Sequence, residues 1–337
     1  MPSSASAPVA APAAALDRQR RDLRRDRLLL AVLGAVAAAC IALYLVLGLK
    51  GNIDYALARR TSSVIALVLV AATIGLSTVI FQTVTANRLL TPSIMGFDSL
   101  YLLLQTGLVF AFGISGFTVL DPVAQFWLEV AIMLVFSALL YGWLLRPDAQ
   151  VTKLLLIGVV FGMLFRGISS FLQRVLDPDA FAALQNRFFA TFTDVPKELL
   201  LPAGVLTLIG VVIVVWDRRR YDVMSLGHPM AVNLGIRPHS LRYRTLGAVA
   251  LLVSVSTALV GPVMFFGLIV AQLAYRIVRV SRHSTILIAA ALLGVIALVG
   301  GQLVVERVFA LDIALSMIIE FVGGVLFLVL ILRKNPL

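Results

Sequence analysis

The chain has 337 residues, of which 61% are hydrophobic and 13% charged, and its mean hydropathy is +1.02. These values exclude a soluble globular domain, because apolar runs of about twenty residues recur from one end to the other. The net charge of +11 is also a feature of nucleic-acid-binding proteins. The placement of the basic residues instead indicates membrane topology.

The apolar runs predict an all-α polytopic membrane protein with about ten transmembrane helices. The predicted spans are residues 28–49, 64–85, 96–115, 123–144, 153–175, 198–216, 244–260, 262–279, 284–303 and 311–332. If the N-terminus is cytoplasmic, most of the 28 Lys and Arg residues fall in the inner segments, as the positive-inside rule requires. An even number of spans then places both termini in the cytoplasm.

Two segments lie outside this pattern. Residues 1–27 begin with Ala, Pro and Ser and continue with arginines, which predicts a disordered, basic cytoplasmic tail before a transmembrane domain over 28–337. The inner loop 217–243 is the longest cytoplasmic connection.

The single cysteine, Cys40, allows no disulfide framework, and the three histidines have no zinc-site spacing, so neither a metal nor a cofactor is predicted.

The inner loop contains the signals for one short helix. Pro229 suits the first turn, Gly235 suits the left-handed position after the last turn, and Pro238 blocks continuation. A helix of under two turns is marginal alone in water. We therefore predict that it packs against a partner through one side that carries Met230, Ala231 and Leu234.

Two spans end in similar interruptions that combine Pro and Gly. Span two is followed by Thr91-Pro92-Ser-Ile-Met-Gly96-Phe, and span seven by Gly261-Pro262-Val-Met-Phe-Phe-Gly267. The two spans run in opposite directions and lie five helices apart. This pattern is typical of an inverted repeat whose broken helices flank a translocation route.

Ionisable residues inside spans are costly and usually face a cavity or one another. Glu129, Arg166 and Glu320 lie at similar depths, about 10–15 Å from the outer end of their spans, so Arg166 can pair with either acid. A structural ion pair and a role in the substrate path both remain open. Span five also has a polar stripe at helical spacing, which indicates a wet wall. The candidate residues for the translocation path are Arg166, Ser170, Gln173, Arg174, Glu129 and Glu320.

The sequence lacks the motif of a nucleotide-binding P-loop, Gly-x-x-x-x-Gly-Lys-[Ser/Thr], and no lysine follows a glycine. The chain therefore cannot hydrolyse ATP by the P-loop route. A membrane-embedded enzyme would need a cluster of Asp, His or Glu near a membrane face, which this sequence does not offer. A secondary transporter would need coupling acids at mid-membrane, for which Glu129 and Glu320 are the candidates.

Several segments, in order, resemble the iron-chelate and vitamin B12 permease family of type II ABC importers. They are Asn87-Arg-Leu-Leu-Thr-Pro92-Ser-Ile-Met-Gly96 after span two, the Leu226-Gly227, Ala231 and Leu234-Gly235 pattern of the inner loop, Gly261-Pro262-Val-Met-Phe-Phe-Gly267-Leu-Ile-Val270, and Gly323-Gly-Val-Leu-Phe327-Leu-Val-Leu-Ile-Leu-Arg333 in the last span. Three positions depart from the family. Its Pro-His is Ala271-Gln272 here, its Pro before the last span is Ala314, and of its Arg-x-Pro-Arg only Arg60 aligns strictly.

The resemblance implies a permease subunit in the bacterial cytoplasmic membrane that passes a substrate inward and is not itself an enzyme. The segment Thr91-Pro92-Ser-Ile-Met-Gly96-Phe-Asp98-Ser-Leu is most similar to the ferric siderophore branch, in which two different permeases usually pair. A heterodimer is therefore favoured over a homodimer. Permeases for vitamin B12, haem or a metal ion share most of these motifs and remain alternatives, as does a secondary transporter.

The resemblance also implies the partners and their contacts. These are a second permease subunit, a separate cytoplasmic ABC ATPase dimer, an extracytoplasmic substrate-binding lipoprotein or periplasmic protein, and membrane lipid, but no nucleic acid. Coupling to the ATPase is expected at Leu226, Gly227, Pro229, Met230, Ala231, Leu234 and Gly235. Docking of the binding protein is expected at Arg59, Arg60 and Arg307, for which contact with lipid headgroups is the alternative.

Overall fold

The computed structural model describes residues 12–48, 53–119, 121–144, 151–185, 188–193, 195–280, 282–307 and 314–332. These residues contain thirteen α-helices and one 3-10 helix, and no β-strand. The α-helices are α1 Pro12–Val46, α2 Ile53–Thr85, α3 Phe97–Val119, α4 Pro122–Leu144, α5 Val151–Val175, α6 Pro178–Gln185, α7 Lys197–Trp216, α8 Arg218–Met224, α9 His228–Asn233, α10 Pro238–Val260, α11 Phe266–Ile277, α12 His283–Arg307 and α13 Leu315–Leu332; the 3-10 helix is Pro92–Met95.

Eight of these helices are long and apolar enough to cross a bilayer, namely α1, α2, α4, α5, α7, α10, α12 and α13. Two further apolar helices, Phe97–Gly113 and Phe266–Ile277, are shorter. They occupy the positions predicted for spans three and eight, and each begins just after an interruption. The all-α polytopic prediction is confirmed.

Helix α1 begins well before its membrane span. Residues 12–27 belong to this helix, so the structure differs from the predicted disorder in this part of the tail, while residues 1–11 lie outside the described residues. Leu and Arg are good helix formers, and a tertiary contact holds the extension. The carboxylate of Asp26 is buried and accepts the backbone N–H groups of Arg279 at 3.2 Å and Val280 at 3.0 Å.

Helices α2 and α10 form the centre of the bundle. In the most apolar 18-residue stretch of each of these two helices, 72% of the residues are buried. The corresponding share is 11% in α1, 17% in α5 and 22% in α13. Helix α2 packs against α12, α10, α7 and α11. Hydroxyl side chains inside these central helices donate to the preceding turn, as Thr73 does to Leu69 O at 2.9 Å and Ser256 to Val253 O at 3.0 Å. These hydroxyl groups are thereby satisfied without water.

Both predicted interruptions are present. After α2 the chain passes through Ala86, with φ of 50°, the 3-10 helix and Gly96, with φ of 90°, before α3 begins. After α10 it passes through Gly261, with φ of 100°, and Phe265, with φ of 57°, before α11 begins. These left-handed residues redirect the chain within the bundle. The symmetry relation between the two segments stays a prediction.

Candidate transport surfaces

Helix α5 lies at the edge of the bundle and carries charge on its free side. Arg166, Ser170 and Arg174 are exposed, beside Met163 and Phe171, whose exposed fractions are 69% and 66%. An arginine facing hydrocarbon is strongly unfavourable. The surface around these residues therefore suits contact with protein and water rather than with lipid alone.

The opposite side of α5 is joined to α3 by a seam of polar contacts. Ser169 Oγ and Thr106 Oγ1 lie 2.8 Å apart, and the Gln173 amide donates to Thr106 Oγ1 at 3.3 Å. Arg166 donates from Nε to Ser99 Oγ at 3.0 Å. Of the predicted stripe, Gln173 is thus half-buried and holds two helices together, whereas Arg166, Ser170 and Arg174 remain at the surface.

The structure gives partners to both glutamates predicted to face Arg166. Glu129 is 2% exposed and accepts the side-chain amides of Gln105 and Gln125, each at 2.8 Å. Glu320, on α13, accepts the backbone N–H of Met264 in the second interruption. These two acids stabilise helix packing and an irregular segment, respectively.

A further buried acid lies close to Arg166. Asp98 lies in the first turn of α3, is 2% exposed, and hydrogen-bonds with the side chain of Ser93. Arg166 donates to Ser99, the residue after Asp98, at 3.0 Å, which places the guanidinium near this carboxyl group. Asp98 is not among the predicted path residues, although an acidic residue inside a predicted span is the same signal that singles out Glu129 and Glu320.

The short inner helix α9 forms as predicted. Gly235 has φ of 79°, its N–H bonds to Val232 O at 2.9 Å, and the N–H of Ile236 bonds to Ala231 O at 3.0 Å. These two bonds constitute a Schellman motif, which satisfies the last carbonyl groups of the helix.

The exposed side of α9 differs in one residue from the prediction. Leu226, Met230 and Leu234 have exposed fractions of 63%, 51% and 58%. Ala231, in contrast, is fully buried, because this side of α9 packs towards the bundle. An apolar surface therefore remains on the cytoplasmic side, and Ala231 does not belong to it.

The three predicted docking arginines line one cavity of about 750 Å³ at the outer face. Arg59 and Arg60 come from α2 and Arg307 from the end of α12. Glu306 lies in the same cavity, where it accepts the Tyr44 hydroxyl at 3.1 Å. Among the described residues that line it, the cavity thus combines three arginines with one glutamate.

Arg60 differs from the other two arginines in its contacts. Its guanidinium donates to the carbonyl groups of Leu45 at 3.0 Å, Leu47 at 2.9 Å and Gly48 at 2.9 Å. These are unsatisfied carbonyls at the C-terminal end of α1, where a cation is favoured. Arg60 therefore fastens α1 to α2.

This architecture is typical of a polytopic membrane transport protein. It combines two interruptions between apolar helices, an exposed charged helix and a short helix with an apolar side on the inner face. The model of the FecCD transport family matches residues 50–333. The chain belongs to this family of ABC transporter permeases, which are multi-pass proteins of the cytoplasmic membrane.

The chain is 44% identical over 312 residues to the petrobactin import system permease protein YclO of Bacillus subtilis, covering 92% of this chain and 99% of that protein. It is 34% identical to the petrobactin import system permease protein FatC of Bacillus anthracis, with 83% and 79% covered. A solved inward-facing ABC transporter assigned to the metal-chelate type has a TM-score of 0.78 at 22% identity, covering 91% and 99%. That likeness confirms the fold.

The position of Arg166, bonded to Ser99 beside the buried Asp98, leads to a first prediction. Removing one partner of a buried charge pair leaves the other uncompensated and costs up to about 3–5 kcal/mol, reduced here because Arg166 is at the surface. We expect Arg166→Met to lower the thermal midpoint of the detergent-solubilised protein, and Asp98→Asn combined with Arg166→Met to recover most of it.

Asp179→Asn combined with Arg166→Met is the matched control, because Asp179 is an exposed acid on α6, outside the membrane-spanning helices. This control should not recover the stability that Arg166→Met loses. Equal recovery by both double variants, measured by fluorescence-detected unfolding, would contradict the assignment of Asp98 as the partner.

Proposed function

We propose that the chain is the permease subunit of an ABC importer that carries a ferric siderophore into the cytoplasm. The observation that supports this most is the row of exposed Arg166, Ser170 and Arg174 on a transmembrane helix. Ferric siderophore complexes are often anionic and rich in oxygen acceptors, which suit guanidinium and hydroxyl donors. The two relatives at 44% and 34% identity are both named as petrobactin import permeases.

The position of these exposed residues on α5 supports a second permease subunit that packs over them. Within the described residues, α5 packs against α3, α4 and the 3-10 helix, and its other side is open. Arginines on that side need water or protein rather than lipid. A partner facing α5 would enclose a polar route between two subunits. The motif after span two favours a different permease as that partner.

Uptake of two substrates tests the substrate class. Proteoliposomes that contain the assembled importer and its binding protein should accumulate iron-loaded petrobactin and exclude cyanocobalamin. Arg174→Gln removes a positive charge from the exposed row and should lower siderophore uptake several-fold while assembly, measured by size-exclusion chromatography, is kept. Accumulation of cyanocobalamin instead would establish the vitamin B12 alternative.

The exposed apolar side of α9 supports contact with the ATPase subunit. Leu226, Met230 and Leu234 are three large apolar side chains facing the cytoplasm on one helix and the turn before it. A helix laid into an apolar groove of a partner is a common recognition mode. ATP hydrolysis on that separate subunit would then act on the bundle through α9.

A charge on this surface tests the ATPase contact. Leu234→Asp places an ion in the expected apolar interface, where desolvation opposes binding, and should reduce co-purification of the ATPase about tenfold or more. Ser240→Asp is the matched control, because Ser240 is exposed on the same inner side in the first turn of α10. Equal retention of the ATPase by Leu234→Asp and Ser240→Asp would show that α9 is not the contact.

The outer cavity supports docking of an extracytoplasmic binding protein. Arg59 and Arg307 are exposed there, so acidic side chains of a binding protein would meet positive charge. Arg60 would act indirectly by holding the end of α1 beside them. Rim charges mainly steer and orient such encounters.

Charge reversal tests the docking surface. Arg59→Glu combined with Arg307→Glu should slow association of the binding protein, measured by surface plasmon resonance on nanodisc-embedded permease. Because salt screens exposed charges, association with the native protein should fall with ionic strength, and association with the double variant should fall less. An association rate that changes neither on charge reversal nor with salt would rule out this surface. Arg60→Lys, in contrast, is expected chiefly to lower the stability of the protein.

A further inference from the structure

Helix α8 precedes α9 and is anchored to the central helix α10 at two points. Asp217 is fully buried at its start and forms an ion pair with Arg244 at 3.2 Å. Tyr221 is also fully buried, and its phenol oxygen accepts the Thr245 hydroxyl at 3.2 Å. Burial raises the pKa of Tyr221 to about 12, so the phenol is neutral at physiological pH.

Asp222, also on α8, binds the first residue of α12. Its Oδ1 accepts the backbone N–H of His283 at 2.6 Å and the ring Nδ1 of His283 at 2.8 Å. The first N–H groups of a helix have no partner within the helix. Asp222 supplies such a partner from a separate helix and, at the same time, fixes the orientation of the imidazole ring.

The other ring nitrogen of His283 reaches α2. Nε2 lies 2.8 Å from Thr83 Oγ1, two residues before the end of α2, and the Thr83 hydroxyl also lies 2.9 Å from Val79 O. His283 is 4% exposed and Thr83 is half-buried, so water competes little for these bonds. Asp222, His283 and Thr83 therefore form one chain of hydrogen bonds across α8, α12 and α2.

The connection between α8 and α9 is hydrogen-bonded along its length. Successive N–H groups of Ser225, Leu226 and Gly227 bond to carbonyls of α8 at 3.0, 3.1 and 3.1 Å, and Ala231 N–H bonds to Gly227 O at 3.0 Å. Hydrogen-bonded turns thus continue from α8 into α9. These bonds link the position of α9 to that of α8.

We propose that the Asp222–His283–Thr83 chain transmits movement of α9 to the inner ends of α12 and α2, with His283 as the positioning residue between them. This inference rests on the proposed contact of α9 with the ATPase. Helix α2 is central and leads directly into the interruption that precedes Asp98 in α3. The chain of hydrogen bonds therefore joins the inner face, which carries the proposed ATPase contact, to the segment beside Arg166.

Three substitutions separate the two bonds of His283. Asn can place its amide nitrogen near Nδ1 and keep the bond to Asp222, but it is too short to reach Thr83. Gln can approach the position of Nε2 instead, and Thr83→Val removes the hydroxyl while keeping the branched shape. His239→Asn is the matched control, because His239 is an exposed histidine on the same inner side, in edge-to-face contact with the Tyr243 ring at 4.8 Å between centroids.

The measurement is siderophore transported per ATP hydrolysed by the full importer in proteoliposomes. His283→Asn and Thr83→Val should each lower this ratio about fivefold, the equilibrium factor of one net hydrogen bond, while the ATPase stays bound and still hydrolyses ATP. His283→Gln should lower the ratio by a similar factor, because it loses the bond to Asp222. His239→Asn should leave the ratio unchanged.

A native ratio in both His283→Asn and Thr83→Val would overturn the proposal. So would loss of the bound ATPase in Thr83→Val, since the chain would then only support the fold of the inner face. Leu234→Asp keeps this failure distinct from failure of the α9 contact. If that variant retains the ATPase, the contact itself is wrong, whatever the transport ratio of the His283 variants.

Discussion

Backbone N–H and C=O groups inside a bilayer have no water to bond with, and the architecture of this protein follows from that constraint. Continuous helices satisfy it by themselves, whereas irregular segments at the ends of the helices need other partners. After α2, the carbonyl of Arg88 accepts side-chain amides from Gln82 at 2.7 Å and Gln272 at 2.6 Å, and Leu89 N–H bonds to the Asn87 side chain at 2.9 Å. Irregular backbone is thus paired by side chains of α2, α11 and the loop itself.

One residue of this pairing, Gln272, lies where the sequence departs from the resembled family. Gln272 stands where the resembled family has histidine after proline, and in this chain its amide fastens α11 to the loop that follows α2. Arg88 packs at 4.8 Å over the ring of Tyr275, one turn further along α11. The substitution therefore changes the chemistry of this junction while retaining a polar side chain that reaches across it.

Polar contacts divide the molecule into a held inner side and a more open outer side. On the inner side, Asp26, Asp217 and Asp222 each bind backbone or basic groups of another segment, so that α1, α8, α10 and α12 are mutually fixed. On the outer side, the 750 Å³ cavity lies among α1, α2, α12 and α13. A movement of α9 would therefore act on inner helix ends that are joined to one another by polar contacts. The outer cavity, in contrast, leaves room for a docked protein.

The sequence by itself determined the helical class, the ten apolar segments, the two interruptions and the capped inner helix. Each of these depends on local chemistry, namely the length of an apolar run, the fixed φ of proline and the left-handed conformation of glycine. The sequence also marked Arg166 as costly within a span, because that cost depends only on the residue and its depth.

Only the tertiary structure decided which side chains meet. Arg60, an expected docking residue, also binds the end of α1, Ala231 is turned inward, and Arg166 binds Ser99 beside the buried Asp98. The Asp222–His283–Thr83 chain joins residues 61 and 200 positions apart. Helical periodicity predicts which face of a helix a residue occupies, but the rotation and depth of each helix against its neighbours arise from packing of the whole bundle.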